Sequence, residues 1–256
     1  MGDATGSLLL ASSRDDRWLV NSWLLADRRG GTAVVVDTGA PMEPLLAAAA
    51  DWQVEVTEAW CTHHHPDHVA HNDDWRARGC RVRVSADEAD LFREADRGDT
   101  LADGDRLLCG ALELEAWSIP GHTVGQMAFV LPGRAVFTGD TLFRGSVGGT
   151  TGHGHGTTPQ LRTAVMDRLL ALDDAVEVLP GHMEPSTIGH ERETNPFVRW
   201  WRGLDAADGR RCRAFDREAA LLLRARDYDG GWKCLLRFDG EEEETLVPGS
   251  RVELLD

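Results

Sequence analysis

The stretch Thr62-His63-His64-His65-Pro66-Asp67-His68 decides how this chain is interpreted. His63, His65 and Asp67 alternate along it, so an extended backbone places them on one side, and His68 follows where the chain turns. Imidazole and carboxylate donors together suit zinc, with iron and manganese as alternatives. A chance match to this pattern in 256 residues has odds on the order of 10⁻³. The stretch therefore predicts a metal site.

Three later segments share one pattern, in which an apolar strand runs into a glycine turn that carries one ligand-type residue. They are Ile119-Pro120-Gly121-His122, Val136-Phe137-Thr138-Gly139-Asp140 and Val178-Leu179-Pro180-Gly181-His182. A glycine allows a sharp turn and brings the next side chain to the end of the strand. Each segment alone is a weak signal, but three in order behind the histidine-rich stretch extend the predicted ligand set.

The surrounding sequence predicts a mixed α/β domain followed by a smaller β-rich segment. Apolar runs and turn residues predict strands that alternate with helices up to about Trp201, including helices over 86–96 and 158–172, the second capped by Thr158. Beyond that point, strands are predicted over 219–226, 232–238 and 251–255, with hairpin turns between them. We therefore expect a main domain over 1–204 and an antiparallel β appendix over 205–256.

Composition excludes several classes of function. The chain has 43 acidic and 27 basic residues, a formal net charge of −16, which argues against non-specific nucleic-acid binding and against docking on anionic membranes. The five cysteines form no C-x-x-C pair, which indicates reduced thiols, and no signal peptide or membrane span is predicted. We expect a cytoplasmic protein whose partner is a small-molecule substrate.

The motifs resemble those of the metallo-β-lactamase superfamily, and within it the glyoxalase II-like hydrolases. The resemblance runs from about Asn21 to Phe197 and includes Val36-Asp37-Thr38-Gly39 and the Asn195-Pro196-Phe197 stretch. It implies a four-layer αββα sandwich and two divalent metal ions. The implied ligands of one metal are His63, His65 and His122; those of the other are Asp67, His68 and His182; and Asp140 bridges the two.

With the ligand set that the resemblance implies, these residues predict a dinuclear hydrolase. Two divalent metals share a hydroxide whose pKa is brought near 7, and that hydroxide attacks a carbonyl while Asp67 orients it. Outside the ligand set the sequence offers no obvious proton donor, which favours a thioester, because a thiolate leaves with little help. Metals and acidic ligands together leave the site with about one positive charge, so the acidic chain can still hold an anionic substrate.

Two alternatives stay open. Persulfide dioxygenases resemble the sequence in His63, His122 and Asp140, but they bind a single iron and oxidise glutathione persulfide. A non-catalytic protein that uses the appendix for interaction, for example in a homodimer, is the other.

The sequence departs from its relatives at two places. The tail is short and carries the only lysine, Lys233, where full-length glyoxalase II enzymes have a basic helical domain. Lactone-hydrolysing relatives have a tyrosine where this chain has Phe143, and the single tyrosine, Tyr228, lies in the tail.

The remaining histidines are assigned to other roles. His64 alternates with the ligands and is expected to point away from them, in a structural or solvent-facing role. His71 and His190 are predicted to lie on the surface, and His153 and His155 belong to a glycine-rich stretch predicted to be a solvated loop.

Overall fold

The structure is a computed structural model that describes residues 8–255. The described chain divides into two compact units. Unit 1 comprises the residues up to Trp117 together with Phe129–Leu131, and unit 2 comprises Ser118–Ala128 and the residues from Pro132 onward. The predicted boundary between 204 and 205 stays a prediction.

Unit 1 is built on a six-stranded sheet whose strands follow one another in chain order. The first three strands pair antiparallel, and the third to the sixth pair parallel. The third strand is a run of β-branched residues buried on both faces, as expected for a central parallel strand. The strands are β1 (Leu9–Arg14), β2 (Asn21–Ala26), β3 (Thr32–Val36), β4 (Glu55–Trp60), β5 (Arg81–Ser85) and β6 (Asp99–Leu101).

Three helices and a hairpin complete unit 1. The helices are α1 (Glu43–Trp52), α2 (Pro66–Val69) and α3 (Asn72–Ala77). The hairpin pairs β7 (Arg106–Cys109) with β8 (Leu112–Ser118, whose last residue belongs to unit 2). Trp75 of α3 and Leu45 of α1 are buried in one core with the apolar residues of β3 and β5. This core fixes the strand ends from which the candidate ligands project.

The predicted helix over 86–96 is wrong. Two 3₁₀ turns occupy this region, Ala86–Leu91 and Glu94–Asp96. Glu88 leaves the helical conformation at φ −135° and its carboxylate is buried, with Oε2 3.3 Å from Nδ1 of His64. A buried carboxylate needs a polar partner, and this requirement overrides the helical propensity of the segment.

Unit 2 contains the remaining strands and helices of the main domain. β10 and β13 pair parallel, and β13 pairs antiparallel with β14. The strands are β9 (Met127–Leu131, whose last three residues belong to unit 1), β10 (Ala135–Gly139), β11 (Leu142–Phe143), β12 (Ser146–Val147), β13 (Glu177–Pro180) and β14 (Ser186–Thr187). The helices are α4 (Thr158–Thr163), α5 (Ile188–Thr194) and α6 (Pro196–Trp201).

The predicted helix over 158–172 is only partly correct. α4 covers its first turn and a half, then the chain forms a π turn over Ala164–Arg168 and a 3₁₀ turn over Leu169–Ala171. The N-cap is Thr157 rather than Thr158, because Thr157 forms a reciprocal capping box with Gln160.

The C-terminal residues of unit 2 form a five-stranded antiparallel sheet with its own apolar core. The strands are β15 (Arg211–Ala214), β16 (Arg217–Arg226), β17 (Trp232–Phe238), β18 (Thr245–Pro248) and β19 (Val252–Leu254), in the order β18-β17-β16-β15-β19. The predicted β-rich appendix is confirmed, although β15 and β18 were not predicted. Over residues 8–255 no helix has both the length and the apolar character that a membrane crossing requires. All five cysteines are buried free thiols.

Candidate metal centre

The histidine-rich stretch forms the connection between β4 and α2 in unit 1, and Asp37 holds it in place. β3 and β4 are parallel neighbours with Val36 opposite Trp60, so Asp37 and Thr62 emerge at the same sheet edge. The Asp37 carboxylate accepts hydrogen bonds from the Thr62 backbone N–H at 2.7 Å and the Thr62 hydroxyl at 2.9 Å. It also accepts one from Nδ1 of His68 at 2.7 Å. One buried carboxylate therefore fixes both ends of the motif.

The predicted ligands of unit 1 lie close together. Nε2 of His63 lies 3.0 Å from Nδ1 of His65, and the His63 and His68 rings have centroids 4.1 Å apart. Oδ2 of Asp67 lies 3.8 Å from Nε2 of His68. His63 and His68 are buried, whereas the Asp67 side chain is a quarter exposed at 25%. The structure thus brings together all four candidates of the stretch.

Thr38 and Gly39, which follow β3, pack against the backbone of the histidine-rich stretch. The Thr38 N–H donates to the carbonyl of His68 at 2.7 Å, and its hydroxyl donates to Oδ1 of the buried Asn72 at 2.7 Å. A Cβ at Gly39 would lie 1.4 Å from the backbone oxygen of Asp67. Only glycine permits this approach, so the turn after β3 packs directly on the backbone of the ligand stretch.

The predicted ligands of unit 2 come from three separate turns. Asp140 follows β10 and His182 follows β13, and these parallel strands place Gly139 opposite Pro180. Oδ2 of Asp140 lies 3.3 Å from Nε2 of His182 and 3.6 Å from Nε2 of His122. Asp140 and His182 are buried. The three glycine-turn segments therefore converge on one carboxylate, that of Asp140.

Backbone packing after Asp140 sets the position of His122. Nδ1 of His122 donates to the carbonyl of Gly149 at 2.8 Å. A Cβ at Gly148 would lie 1.9 Å from the Asp140 carbonyl oxygen and 3.1 Å from Cβ of His122, whereas one at Gly149 would meet nothing within 4 Å. The two neighbouring glycines thus have different roles, and only Gly148 is required by its surroundings.

Buried side chains from α5 and α6 hold the hairpin of β11 and β12 that follows Asp140. Asn195 Nδ2 donates to the carbonyl of Ser146 at 3.0 Å and to Oε2 of Glu191 at 2.9 Å, and that oxygen also accepts from the Gly145 N–H at 2.8 Å. The Asn195 side chain additionally caps α6. The Asn-Pro-Phe sequence is therefore an anchor for the loop beside Asp140.

Sequence reasoning missed the surroundings of His182. The ring of Tyr228 stacks on the His182 imidazole, and the ring of Phe143 contacts it edge-on. Lys233, which is buried, lies beside Asp227 at 2.9 Å. Desolvation by burial lowers the pKa of Lys233, and the Asp227 carboxylate opposes that shift. The only available signal was that Tyr228 and Lys233 are each the single residue of their type.

The donor chemistry fits a divalent metal. Nδ1 of His68 is engaged by Asp37 and Nδ1 of His122 by a backbone carbonyl, which directs Nε2 of each ring toward an acidic side chain. Carboxylate or carbonyl partners on the outer nitrogen are the arrangement that orients metal-binding histidines. These histidines and aspartates therefore have the donor chemistry of a divalent-metal site. His64 takes a structural role, since its buried ring faces Glu88 and Phe92, and His190 is exposed.

Comparisons with known proteins place these features in a family. Residues 15–182 match the family model of the metallo-β-lactamase superfamily. A hydroxyacylglutathione hydrolase of Synechococcus is 31% identical over 215 residues, covering 70% of this chain and 83% of its own length.

Solved structures support the same family assignment. The crystal structure of ETHE1 from Myxococcus xanthus is similar with a TM-score of 0.65 at 27% identity, covering 74% of this chain and 84% of that one. The structure of TTHA1623 in a di-iron-bound form is similar with a TM-score of 0.62 at 29% identity, covering 73% and 99%. The predicted αββα fold class is confirmed, and this chain belongs to the metallo-β-lactamase superfamily.

Proposed function

We propose that this protein is a metal-dependent hydrolase of a thioester or a related small ester. The observation that carries the proposal is that Asp37 and the Gly149 carbonyl accept hydrogen bonds from Nδ1 of His68 and of His122, which orients both rings. Such pre-orientation is characteristic of metal ligands rather than of surface histidines. The hydroxyacylglutathione hydrolase among the relatives supports the choice of substrate class.

The proposed ligand set is the one that the family resemblance implies. His63, His65 and His122 would hold one divalent metal ion, and Asp67, His68 and His182 the other, with Asp140 bridging. Zinc is the proposed metal, with iron and manganese as alternatives. The di-iron-bound form of the similar structure supports a dinuclear centre.

Bound divalent metals would supply a nucleophilic hydroxide at neutral pH and would polarise the scissile carbonyl. The residues of the chain have separate roles. Asp67, whose side chain is partly exposed, accepts a hydrogen bond from the attacking oxygen and orients it. Asp37 keeps the His68 ring in the tautomer with a proton on Nδ1. A thiolate leaving group departs without an acid, because a free thiol has a pKa of about 8.5.

Metal content and substrate specificity test the proposal together. The purified protein should hold close to two metal ions per chain and should hydrolyse members of a thioester panel faster than lactones or phosphodiesters. His63→Ala should lose metal and turnover while its circular dichroism stays that of the wild type. His190→Ala removes an exposed histidine of α5 and should behave as the wild type. Full thioester turnover by the metal-free protein would overturn the proposal.

The persulfide dioxygenase alternative predicts a different metal count. It requires one iron held by His63, His122 and Asp140, and oxygen consumption with glutathione persulfide. One iron per chain with oxygen uptake would favour it, whereas two metals without oxygen uptake would remove it. A cytoplasmic location stays a prediction.

A further inference from the structure

The turn between β16 and β17 brings the C-terminal sheet into contact with a proposed metal ligand. Tyr228 in this turn stacks on His182, with ring centroids 4.1 Å apart and planes inclined by 15°. Phe143 approaches the same imidazole edge-on at 5.7 Å and the Tyr228 ring at 5.6 Å. The His182 ring is therefore flanked by two aromatic rings, one from β11 and one from the appendix.

A buried ion pair holds this turn against the hairpin that follows Asp140. Nζ of Lys233 lies 2.9 Å from Oδ1 of Asp227, the residue before Tyr228, and it also donates to the carbonyl of Val147. The Ser146 hydroxyl donates to the same Asp227 oxygen at 3.0 Å. Since a buried ammonium without partners is costly, these contacts strongly favour one position of the turn.

The Tyr228 ring lies outside the apolar core of the C-terminal sheet. The core of the sheet consists of residues such as Leu221, Leu236, Val247 and Phe238, and Tyr228 is not among them. Tyr228 itself is only half-buried. Its ring instead contacts the rings of His182 and Phe143. This arrangement points to a role at the metal centre.

We propose that the C-terminal sheet forms part of the metal centre and that Tyr228 is a positioning residue for His182. The stacked ring limits rotation of the imidazole and thereby keeps it in the orientation that binds metal. The inference rests on the proposed function in one respect, since it takes His182 as a metal ligand. It goes further in giving the appendix a role at the centre, where an interaction module would have none.

The single tyrosine allows a direct test on the full chain. Uniform labelling with 3-fluorotyrosine gives one ¹⁹F resonance, from Tyr228. Adding Co²⁺ to the metal-free protein should shift or broaden this resonance strongly, because a paramagnetic ion on His182 would lie close to the stacked ring. An unmoved resonance in protein that has bound Co²⁺ overturns the inference and leaves the proposed function standing. Absence of Co²⁺ binding would overturn both.

Substitutions separate positioning from plain stability. Tyr228→Leu removes the stack and should release Zn²⁺ to a chelator about 10-fold faster, the scale of effect seen when a group that orients a metal ligand is lost. Tyr228→Phe keeps the ring and should release Zn²⁺ within about twofold of the wild type on the same scale. Phe238→Leu, a matched change in the appendix core, should lower the urea midpoint without changing Zn²⁺ release. Equal Zn²⁺ release from Tyr228→Leu and the wild type, or equally faster release from Phe238→Leu, overturns the inference.

Discussion

In unit 1 four predicted ligands come from one stretch of chain, whereas in unit 2 His122, Asp140 and His182 follow three separate strands. The contiguous set is tied down by one side chain, because Asp37 bonds both Thr62 and His68. The dispersed set is positioned by backbone packing at Gly148 and by side chains around it.

The difference shows where each half is vulnerable. A local motif concentrates its support in a single buried carboxylate, so one substitution can disturb every ligand in it. A set gathered from distant segments shares its support among a glycine contact, an asparagine anchor and aromatic rings, so no single substitution there should disturb all three ligands.

Removing Asp37 should have the largest effect. Asp37→Ala leaves the Thr62 N–H, the Thr62 hydroxyl and Nδ1 of His68 without their acceptor. It also places alanine, which seldom adopts the left-handed conformation, at a position whose φ is 54°. We expect a loss of about 3 kcal/mol in the free energy of unfolding, from unpaired buried polar groups, and loss of bound metal. Urea unfolding and metal analysis measure the two.

Asp37→Asn is the matched control for this change. Asparagine tolerates the left-handed backbone and keeps one oxygen acceptor, so the fold should be largely retained. Its amide cannot accept on both sides, so metal affinity should still fall. If Asp37→Ala kept wild-type stability and metal content, the single-anchor account of unit 1 would be wrong.

Three glycine substitutions compare the two halves directly. Gly39→Ala places a methyl group against the Asp67 backbone, and Gly148→Ala places one against the Asp140 carbonyl. Each should cost about 2 kcal/mol through overpacking and should weaken metal binding in its own half. Gly149→Ala, beside Gly148 and with open space around it, should match the wild type in thermal unfolding and metal content. A Gly149→Ala variant as impaired as Gly148→Ala would contradict the packing argument.

A buried asparagine in each unit gives a finer comparison. Asn195 anchors the β11–β12 hairpin through the Ser146 carbonyl, and Asn72 binds Thr38 and the carbonyl of Asp96. Asn195→Ala and Asn72→Ala should each cost about 1–3 kcal/mol by leaving buried partners unpaired. Asn72→Ala should lower metal affinity more, because Thr38 bonds the backbone of His68. Isothermal titration with Zn²⁺ checks the order, and the reverse order would refute it.

Sequence reasoning located the contiguous half well and the support of both halves poorly. Ligand types at fixed spacing, as in His63, His65 and Asp67, can be read from the chain because donor chemistry and strand periodicity act locally. The segment around Glu88 is predicted as a helix from its local sequence, and that prediction is wrong because the burial of Glu88 depends on tertiary contacts. The stack of Tyr228 on His182 joins residues 46 positions apart, and no local pattern encodes it.

The smallest expected effect concerns the cysteines, for which the two units should be alike. Burial raises the pKa of Cys80 to about 11 and of Cys109 to about 12 in unit 1, and of Cys234 to about 11 in unit 2. At pH 8 a thiol with a pKa of about 11 is ionised to the extent of roughly 10⁻³, and the thiolate is the reactive form. A thiol-specific reagent should therefore react slowly with the native protein and leave hydrolysis intact, while urea should expose all five thiols to rapid reaction. Rapid modification of one thiol in the native state, with loss of hydrolysis, would contradict this expectation. It would show that the thiols of the two units differ in reactivity and that the modified thiol is accessible to the reagent.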